Sequence, residues 1–255
     1  MKLNNQVQLI TYPDSLGGNL AELIRLLDGP FRGLFPGGVH LLPPYPSSGD
    51  RGFAPLTYLE IDPRFGSWED IRRIAEKHGV MLDVMVNHIS RRSEYFLDFE
   101  KKGRRSPYAD MFLTLDKIWE DGVPVEEDIR RMFLRRAVPY STFRIEETGE
   151  EEKVWTTFGK TDPSEQIDLD IRSGQTRRYL EGIFRHFRDH GVRMVRLDAV
   201  GYVIKKRGTS CFFVEPEIGE FLDWVAELAD RLDIALLPEV HAHISIQRRL
   251  AERGF

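Results

Sequence analysis

The sequence predicts an α/β protein built on a parallel sheet, and three features predict it. Short apolar stretches suited to strands alternate with segments whose apolar residues recur at helical spacing. The first of these strands is apolar at both parities, the pattern of a strand covered on both faces. Polar residues gather at the carboxyl ends of the strands. Alternation of this kind gives right-handed crossovers between parallel strands.

The elements follow in order. Residues 7–12 form the first strand, expected to be buried on both faces. Pro13-Asp14 and Gly17-Gly18 end it, and Asn19 caps a helix carrying Leu20, Leu23, Ile24 and Leu27. Asp28-Gly29-Pro30 stops that helix. Residues 38–42 make a second strand, closed by Pro43-Pro44. A loop rich in Pro, Gly and Ser runs from Tyr45 to Phe65. Ser67 caps the next helix, with Glu69 and Asp70 in its positive first turn and Ile71, Ile74 and Ala75 on one face. Residues 80–86 form a third strand that ends in Asn87-His88. From about Arg104 to Glu165 the alternation stops. That charged, irregular stretch, acidic around Gly149, is too long for an ordinary loop and predicts an inserted subdomain. Alternation then resumes. A helix carries Tyr179, Leu180, Ile183, Phe184 and Phe187, and a strand over 192–197 ends at Asp198. A helix near 218–232, a strand over 234–237 ending at Pro238-Glu239, and a helical stretch from near Ile246 complete the chain. The expected plan is a first barrel portion (1–103), an inserted subdomain (104–165) and a second barrel portion (166–255).

Composition narrows the function. The 255 residues carry 36 basic and 41 acidic side chains, a net charge of −5, which argues against a surface built to grip nucleic acid or an anionic membrane. The single cysteine, Cys211, excludes an internal disulfide framework and a multi-cysteine zinc site. No apolar run approaches the ~20 residues of a membrane span, and the first residues lack the apolar core of a signal peptide. The expectation is a cytoplasmic protein.

The chemistry collects at strand ends: Asn87-His88, Arg196 with Asp198, and Glu239 with His241 and His243. In a parallel barrel those ends share one rim, where catalytic residues gather. Any one of these residues alone could be a helix cap or half of an ion pair. His40 and His78 read as structural, and His186 and His190 as solvated on a helix. Asp198 and Glu239, one strand–helix unit apart, suggest the carboxylate pair of a retaining glycosidase, held roughly 5–5.5 Å apart. Arg196 shares a strand face with Asp198 and is expected to lower the pKa of Asp198 and keep it ionised. Glu239, after an apolar run, is expected to be partly desolvated and raised in pKa, as an acid requires. Glu239, His241 and His243 on an alternating strand could instead ligate a metal, although they lack the rest of a coordination shell.

Four segments in order, Asp83-Val84-Met85-Val86-Asn87-His88, Gln166-Ile167-Asp168-Leu169-Asp170, Val195-Arg196-Leu197-Asp198-Ala199 and Leu237-Pro238-Glu239-Val240-His241, resemble the motifs of the α-amylase superfamily of retaining α-glucoside enzymes. The stretches 8–12, 37–40, 48–55, 155–158 and 206–212 look like its sucrose phosphorylase branch. Residues 132–143 and 159–166 are most similar to members acting on sucrose 6-phosphate. The resemblance implies the N-terminal five or so strands of a (β/α)8 TIM barrel, near Leu9, Val39, Val84, Met194 and Ala235, with the insertion after the third strand. Five strands leave such a barrel incomplete, and the third catalytic acid of the family is missing. Little turnover is therefore expected from this chain alone. The resemblance further implies that Asp198 is the nucleophile, Glu239 the general acid/base, and Arg196 the residue orienting Asp198. Asp50 and His88 would bind sugar hydroxyls, Phe53 and Phe158 would wall the glucosyl site, and Gln166 would reach in from the insertion. Leu197 and His241 join the substrate-binding set. Phosphate would accept the glucose, with no metal and no organic cofactor. Arg135, in an arginine-rich run of the insertion, is the expected contact for a fructose 6-phosphate group, since guanidinium grips phosphate through paired donors. Within the family, a sucrose phosphorylase or a glucosylglycerate phosphorylase is the alternative, and a sugar-binding fragment without catalysis is the alternative from another class.

Overall fold

The computed structural model describes residues 6–159, 162 and 165–255. Residues 1–5 and Lys160, Thr161, Pro163 and Ser164 of the 159–166 motif lie outside the described residues. The elements run β1 (Gln8–Thr11), α1 (Leu20–Asp28), β2 (Gly38–Leu41), α2 (Trp68–Ala75), β3 (Val80–Met85), β4 (His88–Ser90), α3 (Glu94–Lys102), α4 (Glu126–Arg131), β5 (Tyr140–Arg144), β6 (Glu151–Trp155), β7 (Gln166–Asp168), α5 (Gly174–Asp189), β8 (Met194–Asp198), α6 (Glu217–Arg231), β9 (Ala235–Pro238) and α7 (Ile244–Glu252). Five strands pair in parallel in the order β1-β2-β3-β8-β9 and do not close into a barrel.

Local chemistry explains where the helices begin. Asn19 Oδ1 accepts the Glu22 amide at 2.9 Å, and the Asp70 carboxylate accepts the Ser67 amide at 2.9 Å. Ser93 and Ser173 cap α3 and α5 in the same way. Strand alternation then sorts the side chains. Val39, Leu41, Leu82, Val84, Val195 and Leu197 meet the apolar faces of α1, α2, α5 and α6 in the main core. His40, Asp83, Arg196 and Asp198 occupy the opposite, inner face, with Asp83 and Arg196 in register across β3 and β8.

The outer strands depart from the expectation of burial on both faces. Ile10 on β1 is 62% exposed and Leu237 on β9 is 50% exposed. Both lie at the open edges of the inner face, where no further strand covers them. His186 and His190 also depart from expectation: they pack on Trp68, each ring 4.7 Å from the indole, rather than standing in solvent.

The insertion has its own interior. Its hairpin β5–β6 pairs antiparallel, and β7 returns to pair with β4. Phe96 is fully buried, with ring centroids 4.9 Å from both Phe112 and Phe143 and 5.5 Å from Phe99. Ile89, Ile167 and Leu169 complete this second core. The packed unit is thus wider than residues 104–165, because it recruits α3 before that stretch and β7 after it. Phe96→Ala is expected to destabilise the protein by about 3–5 kcal/mol, as emptying an aromatic-lined core does. Equilibrium urea unfolding would read this directly, and an unchanged midpoint would contradict the second core.

Candidate active site

The site grows from the inner face of the sheet. Asp83, in the middle of apolar β3, is completely buried. It accepts a hydrogen bond from Arg196 Nη1 and pairs with His40 Nε2 at 2.8 Å. The same guanidinium reaches Asp198 Oδ1 at 3.0 Å through Nη1 and Glu239 Oε1 at 3.0 Å through Nη2. Glu239 is held from its other oxygen by the amide of Ala199, at 2.8 Å. That amide points back because Ala199 adopts a left-handed conformation (φ 54°) at the end of β8. One guanidinium therefore binds both carboxylates of the expected catalytic pair.

The charge balance differs from expectation. Removal from water, and then the neighbouring Glu239 carboxylate, push the pKa of Asp198 up to about 7 against the opposing pull of Arg196. Arg196 does not hold Asp198 in the ordinary carboxylate range, because its charge is divided among three acids while Asp198 is only 8% exposed. Glu239 is less enclosed than expected, since its side chain remains 37% exposed beyond the outermost strand.

Above these groups lies a cavity of about 410 Å³, within the roughly 300–1,000 Å³ of small-molecule sites. Asp50, Phe53, His88, Phe158 and Gln166 form one side. His88 Nε2 donates to the Phe53 carbonyl at 3.0 Å, and burial pushes its pKa down, so the ring is neutral with its proton on Nε2. Gln166 Nε2 donates to Asp50 Oδ2 at 3.2 Å and to the Phe53 carbonyl at 3.3 Å. Its carbonyl oxygen is buried without a partner among the described residues. Such a group costs free energy unless a ligand donor meets it.

Aromatic rings make the other side. Tyr202 lies 5.1 Å from Phe158 and 4.8 Å from Phe212, and Phe133 lies 4.8 Å from Phe212. Gly201 permits this packing, since a Cβ there would fall 2.4 Å from the Phe213 ring. Arg135 stands at this wall with its guanidinium 5.8 Å from the Tyr202 ring centre, and it makes no ion pair among the described residues. His241 also lines the cavity.

Two expectations need correction. Leu197 is completely buried in the main core and does not line the cavity, because alternation along β8 turns it away from Arg196 and Asp198. Glu239, His241 and His243 do not share a strand, since β9 ends at Pro238, and His243 caps α7 by accepting the Ser245 amide. Among the described residues no cluster of three or more His, Cys, Asp or Glu side chains is arranged to hold a metal. Among the described residues no helix is long and apolar enough to cross a membrane.

Sequence reasoning assigned no role to Asp83, Tyr202, Phe133 or Phe212. Asp83 had a signal, a charge inside an apolar strand. The aromatics had none, because they come together from the insertion and from the loop after β8.

Comparison with known proteins places these features in a family. The alpha amylase catalytic domain family matches residues 28–246. The chain is 67% identical over 255 residues to the sucrose 6(F)-phosphate phosphorylase of Thermoanaerobacterium thermosaccharolyticum, covering all of this chain and 52% of that protein. It is 42% identical to the sucrose phosphorylase of Streptococcus mutans, again over all of this chain and 52% of the relative. A crystal structure of sucrose 6F-phosphate phosphorylase from Thermoanaerobacter thermosaccharolyticum superposes with a TM-score of 0.98 at 66% identity, over 100% of this chain and 52% of the other. The chain spans about half the length of the curated relatives it matches.

The unusual ionisation of Asp198 has a consequence for stability. A carboxyl whose pKa is higher folded than unfolded supports the folded state fully below its unfolded value near 4. That support is lost as pH rises through about 7. Asp198→Asn stays neutral and is expected to gain stability on the wild type as pH climbs from about 4.5 to 8, by up to about 4 kcal/mol. Melting temperatures of both proteins across that range test it, and parallel curves would contradict it.

Proposed function

The chain belongs to the alpha-amylase family, and from that premise we propose that it carries the glucosyl-transfer site of a retaining phosphorylase acting on sucrose 6-phosphate. The observation that carries the reading is the joint hold of Arg196 on Asp198 and Glu239 beneath a cavity whose far wall presents Arg135.

In this reading Asp198 attacks the anomeric carbon as the glycosidic bond breaks, forming a covalent glucosyl-enzyme. Glu239 gives its proton to the departing fructosyl oxygen. Positive charge developing on the sugar ring favours the ionised form of Asp198 in the transition state, against the burial that opposes it in the empty site. Inorganic phosphate then attacks from the face the leaving group vacated. Glu239 takes the proton, and the product is α-glucose 1-phosphate with retained configuration. Asp50, His88 and Gln166 supply hydroxyl contacts, and Phe53 and Phe158 flank the ring. Arg135 takes the phosphate of the fructose 6-phosphate moiety. Substrates of this charge stay within the cell that makes them, which supports a cytoplasmic setting.

Two experiments test the proposal. Glu239→Gln, given α-glucosyl fluoride (whose leaving group needs no acid), is expected to accumulate an adduct one glucosyl residue heavier. Mass spectrometry of peptic fragments should place it on Asp198, and a label elsewhere or none at all would overturn the mechanism. In a version of the chain extended to the full length of its relatives, Arg135→Ala is expected to lower kcat/KM for phosphorolysis of sucrose 6-phosphate by about ten- to a hundredfold, the worth of one or two hydrogen bonds to a charged group, while sucrose is spared. Equal losses on both donors, read as glucose 1-phosphate release, would remove Arg135 from that role.

A further inference from the structure

Behind the cavity lies a buried cation that is not among the residues lining it. The side chain of Lys205 is 1% exposed. Its ammonium sits 2.5 Å from Asp168 Oδ2 and 2.5 Å from Asn87 Oδ1. Asp168 is itself fully buried, and it accepts the Thr157 amide at 2.9 Å, the Thr157 hydroxyl at 2.5 Å and the Asn87 amide at 3.1 Å. Three separate segments thus meet on one ammonium: the junction of β3 and β4, the return of the insertion through Thr157 and β7, and the loop after β8. An ammonium is a compact charge with three donors, and two of its directions are taken by oxygens from two of those segments.

Each member of this cluster has a near neighbour in the cavity wall. His88 follows Asn87 and receives the Asn87 amide on Nδ1 at 3.4 Å. Phe158 follows Thr157, and Gln166 lies two residues before Asp168 on the same face of β7. Tyr202 lies three residues before Lys205. We propose that Lys205 is a positioning residue, whose buried ammonium locks the insertion onto the barrel sheet and thereby sets His88, Phe158 and Gln166 for the sugar ring. By holding Asn87 through its oxygen it turns the Asn87 amide toward His88 Nδ1, which keeps the ring proton on Nε2. The sugar contacts invoked here rest on the function proposed above, whereas the hold on His88 does not.

The test pairs Lys205→Met with the double variant K205M/D168N. The single variant strands a buried carboxylate and is expected to fold poorly. The double variant removes both charges and keeps the fold measurable. Nitrogen-15 spectra of the histidine rings, taken without ligand, should show the His88 signals of the double variant leaving the Nε2-protonated pattern of the wild type. Unchanged His88 signals would overturn the proposal whatever the protein binds. Calorimetry with glucose gives the second readout. The double variant is expected to bind at least about tenfold more weakly, as displaced contact groups do. Equal affinity in both proteins would also overturn the positioning role. Absence of glucose binding in the wild type, with the His88 signals shifted in the variant, would uphold the hold on His88 and count against the sugar site instead.

Discussion

The guanidinium of Arg196 holds together carboxylates contributed by β3, by β8 and by the segment just beyond β9, and the rest of the site depends on it. Asp83 is completely enclosed, and a polar group buried so deeply is costly unless it is paired. Its pairing with Arg196 and His40 settles where the guanidinium lies, and that position leaves Nη2 free to meet Glu239. Asp198 receives only a share of this one charge. The price of that sharing is a carboxyl poised near neutrality, which can bear charge when a positive centre forms beside it and is discouraged from doing so when the site is empty.

The insertion contributes rigidity as well as reach. Its apolar interior, centred on Phe96, Phe112 and Phe143, joins it to β4 and β7, and the strand pair anchors it to the ends of the barrel strands. Gln166, which lines the cavity from this side, is therefore carried on a strand of this packed unit. Its buried side-chain oxygen has no hydrogen-bond partner among the described residues.

The acidic balance of the chain does not oppose an anionic substrate, because charge acts locally. Many arginines of the insertion are already committed: Arg104 to Asp116 and Glu152, Arg131 to Glu127, Arg130 to Glu126. Arg135 instead rests beside the Tyr202 ring. An aromatic face steadies a guanidinium without occupying its N–H donors, so those of Arg135 are left for the phosphate contact proposed above.

The sequence by itself determined the order of the five sheet strands and the helices between them, the caps at Asn19 and Ser67, and the strand ends that carry Asp198 and Glu239. These follow from periodicity and short-range hydrogen bonding, which neighbouring residues dictate. Alternation could also have excluded Leu197 from the cavity, since it lies between Arg196 and Asp198 and must face the other way. Tertiary structure alone decided the division of Arg196 among three acids, the raised pKa of Asp198, the exposure of Ile10 and Leu237, and the meeting of Lys205 with Asn87 across 118 residues of chain. Burial and charge are sums over groups brought together from distant segments, and no local pattern contains those sums.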